Sequence, residues 1–184
     1  MPSFTPVDDR GRVWQVSDLL PSEQADEIIR TPWQDLATET GLKQESWRRR
    51  QVVAADLYAQ LYTGYINQCL PDINLALGTK FRHSSGHFWI DLPGFRVPLH
   101  TDGHLPAAMQ IYWTVPDPTY GTGFYQYRNP ASLYYQFLSR PNSGYIMLNH
   151  ANPDGSQPLL WHAMLNPVPQ GHIRVTSYWY FAGS

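Results

Sequence analysis

The sequence predicts a mainly β fold, a jelly roll of two packed sheets that is buttressed by N-terminal helices. From Lys80 onward the chain divides into short β-like runs separated by Gly, Pro and Asn, which is typical of antiparallel β architecture. The 16 Pro and 13 Gly argue against a helical bundle. We expect one domain over 1–184, with a helical buttress over 1–79 and the β core over 80–184.

The first eighty residues predict one short strand and two helices. Segment 13–16 alternates in character, as a half-buried strand does. Segment 21–30 predicts a helix with Ser22 as its N-cap and acidic residues early in the helix. A second helix is predicted over about 54–70 by the spacing of its apolar residues, and Pro71 is expected to end it.

Seven further runs predict the strands of the β core, because each is short, apolar and bounded by turn residues. They are 86–91, 96–101, 109–115, 123–128, 144–149, 159–165 and 173–181. Between two of them lie Tyr134, Tyr135 and Phe137, which fit either a lid or ordinary core packing.

The composition argues against several classes of protein. A formal net charge of −2 gives no reason to expect a nucleic-acid partner, and we interpret the run Arg48–Arg50 as solvated surface. No run approaches the roughly 18 apolar residues of a membrane span. The first residues lack the build of a secretory signal. Cys69 is the single cysteine, so no internal disulfide forms, and we expect a cytoplasmic location.

Two fragments predict a metal site. His100 and Asp102 are two residues apart, so on a strand their side chains point to the same side. A third ligand must then come from a distant strand, and His162 lies in a suitable apolar run. Two imidazoles and one carboxylate form the facial triad of non-haem Fe(II) oxygenases, which leaves three coordination positions open.

The other histidines are weaker candidates. His83 and His87 are four apart with a turn-like segment between them, and His104 would chelate with His100 only from a helix. We therefore interpret His104 as a pocket-rim or surface residue, and His83 and His87 as surface residues. The remaining two histidines, His150 and His172, lie in polar turn segments and are also interpreted as surface residues.

The last predicted strand carries a candidate anion site. Alternation places Arg174, Thr176 and Tyr178 on one face. A guanidinium is suited to binding a carboxylate through two parallel hydrogen bonds, and a Thr hydroxyl two residues on can add a third. Two alternatives stay open: a surface Arg on an edge strand, or an Arg paired with a protein acid such as Asp91.

These motifs resemble the Fe(II)- and 2-oxoglutarate-dependent dioxygenases, in their small prolyl-hydroxylase-like branch. The H-x-D of that family is similar to His100-Thr101-Asp102 here, and the distal His and basic anchor are similar to His162 and Arg174. Other segments of similar pattern are 19–29, 109–113, 121–124 and 141–148.

The resemblance implies a double-stranded β-helix and a set of site residues. His100, Asp102 and His162 would bind Fe(II), and Arg174 would bind the far carboxylate of 2-oxoglutarate. Thr176 and Tyr112 would assist Arg174. The implied reaction couples oxidative decarboxylation of 2-oxoglutarate by O2 to hydroxylation of a C–H bond, with ascorbate as reductant. Halogenation is disfavoured, because the family's halogenases have a small residue at the position of Asp102.

The substrate is open to a small metabolite, an amino acid or a prolyl peptide. Phe124 and the separated glycines before it depart from the family pattern on the substrate side, so prolyl specificity does not carry over. Two other functions are also open: a cupin-like metal enzyme without 2-oxoglutarate, or a non-catalytic β-sandwich binding protein. Candidate substrate-binding residues, each also compatible with sheet packing or a solvated face, are Trp89, Arg96, Trp113, Phe124 and Tyr127, with Tyr125 and Arg128 beside them.

Overall fold

A computed structural model describes residues 2–33, 50–52, 55–102, 107–149 and 160–182. Three helices lie in these ranges: α1 (Ser22–Arg30), α2 (Ala55–Gln68) and α3 (Leu70–Leu77). The strands of the same ranges are β1 (Ser3–Pro6), β2 (Val13–Ser17), β3 (Arg50–Val52), β4 (His83–Asp91), β5 (Ala107–Thr114), β6 (Thr122–Tyr125), β7 (Leu133–Phe137), β8 (Ser143–Leu148), β9 (Trp161–Met164) and β10 (Arg174–Ala182).

The strands form two antiparallel sheets, which confirms the mainly β prediction. The larger sheet has seven strands in the order β1-β2-β8-β5-β10-β4-β3, and the smaller has three in the order β7-β6-β9. Strands far apart in sequence are neighbours in each sheet, as in a rolled double sheet. Aromatic side chains of both sheets, among them Tyr112, Phe124, Phe137 and Tyr145, share one buried cluster. The two sheets therefore face each other across this cluster.

The helices cover the opposite face of the seven-stranded sheet. Trp113 and Trp179 of the sheet share a buried cluster with Ile28 of α1 and with Tyr62 and Ile66 of α2. Burial of these large side chains away from water provides most of the free energy that holds helices to sheet. The helices do not cover the inner face of the same sheet, and that face lines the cavity described below.

Two expectations about the helices are wrong. Pro71 does not end the second helix, because the chain turns at Cys69 and Pro71 lies in the first turn of α3, where its missing N–H is not needed. Ser22 is the first residue of α1 and not its N-cap, a place taken by Pro21 without a side-chain cap. Within the described residues, no helix has the length and apolar character needed to cross a membrane.

The strand predictions are right for six of the seven runs, with shifted ends. Segment 96–101 is not a strand: only His100 forms an isolated bridge, after the kinked stretch that contains Pro98. Three strands were not predicted, namely β1, β3 and β7. In β7, Tyr134 is exposed while Phe137 is buried between the sheets, so this aromatic segment is a sheet edge. Residues 48–49, 54 and 159 of the predicted segments lie outside the described residues.

Candidate metal centre

His100 and His162 are held directly opposite each other by the backbone. The amide of His100 donates to the carbonyl of His162 at 3.0 Å, and the amide of His162 donates back at 2.9 Å. This reciprocal pair places the two imidazole centroids 4.2 Å apart. The bridge, together with β9, fixes two candidate ligands on one wall of the cavity.

Asp102 completes a cluster of three metal-ligating side chains. Its Oδ1 lies 3.4 Å from His100 Nε2, and its Oδ2 lies 3.4 Å from His162 Nε2. One ligand atom from each of the three residues falls within 4.8 Å of the others. The donor set of two imidazoles and one carboxylate is that of a facial triad.

Backbone carbonyls orient both imidazoles. His100 Nδ1 lies 2.8 Å from the carbonyl oxygen of Pro98, and His162 Nδ1 lies 2.9 Å from that of Leu160. A carbonyl only accepts, so each Nδ1 carries the proton and each Nε2 presents a lone pair to Asp102 and the space beside it. Both rings therefore have the tautomer that a metal requires.

Tyr178 of β10 holds the carboxylate of Asp102. Its hydroxyl donates to Oδ2 at 2.7 Å, while the side chain of Asn149 donates to the Asp102 carbonyl at 3.2 Å. Burial raises the pKa of Asp102, but the facing imidazoles of His100 and His162, which donate from Nε2 only when they are protonated, and the Tyr178 hydroxyl outweigh it and hold that pKa well below its usual range. Burial, and then Asp102, raise the pKa of the Tyr178 hydroxyl, which stays a donor.

The triad opens into a cavity of about 300 Å³ between the two sheets. Its walls come largely from the inner face of the seven-stranded sheet, where alternate residues of β4, β5, β8 and β10 meet in register. These walls are aromatic and polar in character. Besides the triad, the lining includes His87, Trp89, Gln110, Tyr145, Tyr178 and Tyr180.

Arg174 also lines this cavity, and it is paired with Asp91. Arg174 is 1% and Asp91 is 0% exposed, and they lie directly opposite each other on β10 and β4. Nε and Nη2 of Arg174 donate to the same oxygen, Asp91 Oδ2, at 2.8 and 2.5 Å, and Nη1 donates to the carbonyl of Tyr120 at 2.8 Å. Burial lowers the pKa of the guanidinium, but the charge of Asp91 more than offsets this and raises it. The guanidinium carbon lies 5.6 Å from the ring centre of Tyr112.

Thr176 follows Arg174 on the same inner face, between Trp89 and Tyr112 in the sheet register. Its hydroxyl is fully buried and has no hydrogen-bond partner among the described residues. A buried hydroxyl without a partner is costly, so a polar atom that reached Thr176 would relieve that cost. The neighbouring hydroxyl of Tyr112 is bound to Thr122 Oγ1 at 2.6 Å.

The candidate substrate residues are dispersed. Trp89 lines the cavity. Phe124 is buried behind His162, with ring centres 6.0 Å apart, and Trp113 lies on the helix-facing side, where its Nε1 donates to Ser177 Oγ at 2.8 Å. The structure does not bring those two to the cavity surface.

The other candidate substrate residues lie in loops or at the end of a strand. Arg96 is exposed, because its neighbours on both sides turn inward, and Tyr127 is 62% exposed beyond β6. Arg128 lies over the ring of Trp161, with 5.5 Å from its guanidinium carbon to the ring centre. Tyr125 is half-buried at the end of β6.

His87 was wrongly assigned to a turn at the surface. Segment 83–87 belongs to β4, and His87 faces the cavity with its ring 4.5 Å from that of Trp89. His83 and His172 are exposed, and His104 and His150 lie outside the described residues.

The sequence analysis also missed Gln110 and Tyr145, which both line the cavity. The Tyr145 hydroxyl donates a hydrogen bond to Gln110 Oε1 at 3.0 Å. Alternation from Tyr112 along β5 would have found Gln110. Tyr145 carries no such signal, because β8 is buried along its whole length.

The residues present fit both a metal ion and a small anion. Three convergent donors, two of them in the correct tautomer, suit an iron-type ion. The Arg174 guanidinium lines the cavity and suits a carboxylate, and the partnerless Thr176 hydroxyl lies two residues on along the same face of β10. We find both features in one part of the molecule, the inner face of the sheet.

Known structures share this architecture. No protein-family model matches the chain, and no curated protein does. A prolyl-4-hydroxylase from Pseudomonas putida aligns with a TM-score of 0.61 at 17% identity, over 94% of this chain and 92% of that one. A viral collagen prolyl hydroxylase from Paramecium bursaria Chlorella virus-1, in complex with 2-oxoglutarate, aligns with a TM-score of 0.63 at 14% identity, over 96% of this chain and 99% of that one.

EvdO2 from Micromonospora carbonacea var. aurantiaca, complexed with 2-oxoglutarate, aligns with a TM-score of 0.62 at 11% identity, over 100% of this chain and 94% of that one. At such identities a likeness concerns the fold. The chain therefore has the double-stranded β-helix fold of 2-oxoglutarate oxygenases, and its resemblance to their prolyl-hydroxylase-like branch is confirmed at that level.

Proposed function

We propose that this protein is a non-haem Fe(II) dioxygenase that couples oxidative decarboxylation of 2-oxoglutarate to hydroxylation of a substrate C–H bond. The observation that carries the proposal is one cavity that presents the His100, Asp102 and His162 cluster together with Arg174. Fold-level likeness to structures with bound 2-oxoglutarate supports it.

Fe(II), 2-oxoglutarate and O2 would supply the oxidising chemistry, with ascorbate as a reductant that keeps the iron ferrous. The chain's own residues hold and shield that chemistry. The triad would hold the ion from one side, which would leave its open positions towards the cavity. Tyr178 fixes the orientation of Asp102, and the aromatic wall with Trp89 limits the access of water.

The cosubstrate would be bound at its far carboxylate by Arg174 and Thr176. A guanidinium has five N–H donors. The described bonds from Arg174 use four of them, to Asp91 twice, to the Tyr120 carbonyl and to the sulfur of Met164. One Nη1 N–H is left for a ligand, and the Thr176 hydroxyl supplies a second donor.

The cavity size favours a small substrate or a single side chain of a peptide. About 300 Å³ is at the lower end for ligand pockets and must hold the cosubstrate as well. The two prolyl hydroxylases among the similar structures make a prolyl side chain one candidate, beside amino acids and other small metabolites.

The test is formation of succinate from 2-oxoglutarate by the Fe(II)-loaded protein in air, first alone and then with a panel of amino acids, metabolites and prolyl peptides. We expect slow uncoupled turnover that one substrate class accelerates. The His162→Ala protein is the negative control. Absence of any metal-dependent succinate across the panel would remove 2-oxoglutarate from the proposal.

One observation favours a second function, a metal enzyme that does not use 2-oxoglutarate. In that case Arg174 serves the structure, and its buried pairing with Asp91 is what such a role requires. Metal binding without binding of 2-oxoglutarate would support it. Failure to bind any divalent metal would instead favour the non-catalytic β-sandwich binding protein.

A further inference from the structure

Gln110 belongs to a row of side chains that crosses the inner face of the seven-stranded sheet. On the adjacent strands β4, β10, β5 and β8, the residues in register are His87, Tyr178, Gln110 and Tyr145. All four line the cavity. Tyr178 donates to Asp102 Oδ2 at 2.7 Å, so the row runs beside the triad. Gln110 therefore lies at the end of the cavity where a metal would bind.

Tyr145 fixes the direction in which the amide of Gln110 points. Its hydroxyl donates to Gln110 Oε1 at 3.0 Å. Burial raises the pKa of Tyr145 well above its usual value, so the hydroxyl keeps its proton and remains a donor. A side-chain amide has its acceptor oxygen on one side and its two N–H donors on the other. Because the oxygen is bound to Tyr145, the Nε2 group of Gln110 points away from that bond.

The Nε2 group of Gln110 has no hydrogen-bond partner among the described residues. The side chain is only 8% exposed, yet it lines the cavity. Buried N–H donors are costly when they are left without an acceptor. An oxygen atom of a ligand in the cavity would supply that acceptor, whereas an amino group of a ligand would not pair with Nε2.

We propose that Gln110 is a binding residue for the keto-acid head of 2-oxoglutarate, to which its Nε2 donates a hydrogen bond beside the metal. The position of Gln110 next to Tyr178 supports this assignment. Arg174 is four residues from Tyr178 along β10, so the two polar groups would hold opposite ends of one ligand. This inference rests on the proposed function and deepens it, because it adds a protein contact for the head of the cosubstrate.

The test measures the affinity of the Mn(II)-loaded protein for 2-oxoglutarate by calorimetry, in the native chain and in Gln110→Met. Methionine is unbranched like glutamine but has no N–H donor. Loss of a hydrogen bond to a charged group predicts an affinity lower by roughly 10- to 150-fold. The affinity for Mn(II) should stay that of the native chain. Unchanged affinity for 2-oxoglutarate, or a loss that merely follows a loss of metal affinity, would overturn the inference.

Two further variants separate a ligand contact from a structural role. Tyr145→Phe breaks the same bond but keeps both N–H donors of Gln110, so its affinity for 2-oxoglutarate should fall less than that of Gln110→Met. Gln15→Met is the matched control, because Gln15 accepts from the Tyr135 hydroxyl at 2.6 Å outside the cavity. It should bind 2-oxoglutarate as the native chain does. A loss in either variant equal to that in Gln110→Met would overturn the inference.

The two proposals fail in different ways. If 2-oxoglutarate binds neither the metal-loaded native protein nor any variant, the proposed function fails and this inference with it. If it binds the native chain and Gln110→Met equally, only the role of Gln110 is wrong. Should Gln110→Met not fold, Gln110→Glu still accepts from Tyr145 and has an oxygen in place of Nε2, so the same loss is expected. Native affinity in Gln110→Glu would then overturn the inference.

Discussion

The two ends of the cavity are built on opposite principles. At the metal end, His100, Asp102 and His162 turn donor atoms towards one another. Backbone carbonyls bind the Nδ1 atoms of the two imidazoles, and Tyr178 donates to Asp102 Oδ2. At the other end, Arg174 is already satisfied by Asp91. At the metal end, three donor atoms are available to bind an ion. At the Arg174 end, called the anchor end below, most hydrogen bonds of the guanidinium are already made within the protein.

This difference predicts where ligands contribute free energy. A metal ion would accept the lone pairs of three donor atoms that only the folded chain brings together, so its binding is expected to stabilise the fold strongly. A carboxylate at the anchor end adds only the bonds to Thr176 and to one N–H of Arg174. Substitutions at the two ends should therefore separate metal affinity from protein stability.

The largest effect is expected from His162→Ala. It removes one of three ligand atoms, so we expect affinity for Mn(II) or Fe(II) to fall by more than about 100-fold, beyond the range of losses caused by outer partners. Metal content and calorimetry measure this. His172→Ala, at an exposed turn, is the matched control and should bind as the native chain does. Equal metal content in both variants would contradict the assignment.

Arg174→Met is expected to lower the free energy of unfolding by about 3–5 kcal/mol, because it removes one half of a fully buried ion pair. Urea unfolding measures the change. Replacing both partners, Arg174→Met with Asp91→Leu, should recover most of the loss. A single variant within about 1 kcal/mol of the native chain would mean that the pair is not buried as described.

Tyr178→Phe should weaken metal binding by about tenfold, since it removes the hydrogen bond that orients Asp102. Tyr135→Phe also loses a hydroxyl with a short bond, to Gln15 at 2.6 Å, but this hydroxyl does not line the cavity. The metal affinity of the Tyr135→Phe variant should therefore equal that of the native chain. Equal losses in the two variants would point to a general effect on the fold.

Thr176→Val is expected to give the smallest change in stability. Its hydroxyl has no partner among the described residues, so replacing it should leave the free energy of unfolding unchanged or raise it by up to about 1 kcal/mol. Thr122→Val, which breaks the bond to Tyr112, should lower it by about 1 kcal/mol. Affinity for 2-oxoglutarate should fall about tenfold in Thr176→Val. A loss of stability there would show that the hydroxyl is already bonded.

The sequence predicted the features that depend on local spacing. The i, i+2 relation of His100 and Asp102 and the shared face of Arg174 and Thr176 follow from short-range geometry. The structure brings His100, Asp102 and Arg174 into one cavity wall, with Thr176 buried on the same face of β10. The pairing of Arg174 with Asp91 depends on strand register, which spacing does not fix. The sequence could only offer it as one of two alternatives.

Other features escaped prediction because tertiary context overrides local signals. Pro71 was expected to stop a helix and instead starts one, since it occupies a position where no N–H is required. His87 follows a Ser-Ser-Gly segment that reads as a turn, yet pairing with β10 holds this segment extended. Two predictions are not tested by the structure. They are the division of the one domain into a helical buttress over 1–79 and a β core over 80–184, and the cytoplasmic location.

The central claim is that the triad and the Arg174 end form one site for a metal and 2-oxoglutarate. Anaerobic calorimetry of 2-oxoglutarate with the Fe(II)-loaded, the metal-free and the His162→Ala protein tests it most directly. We expect binding to the Fe(II)-loaded native chain and an affinity lower by at least about 100-fold in the other two, because the proposed site would hold the keto-acid head through the metal. Equal binding with and without metal, or none to the loaded protein, would contradict the account.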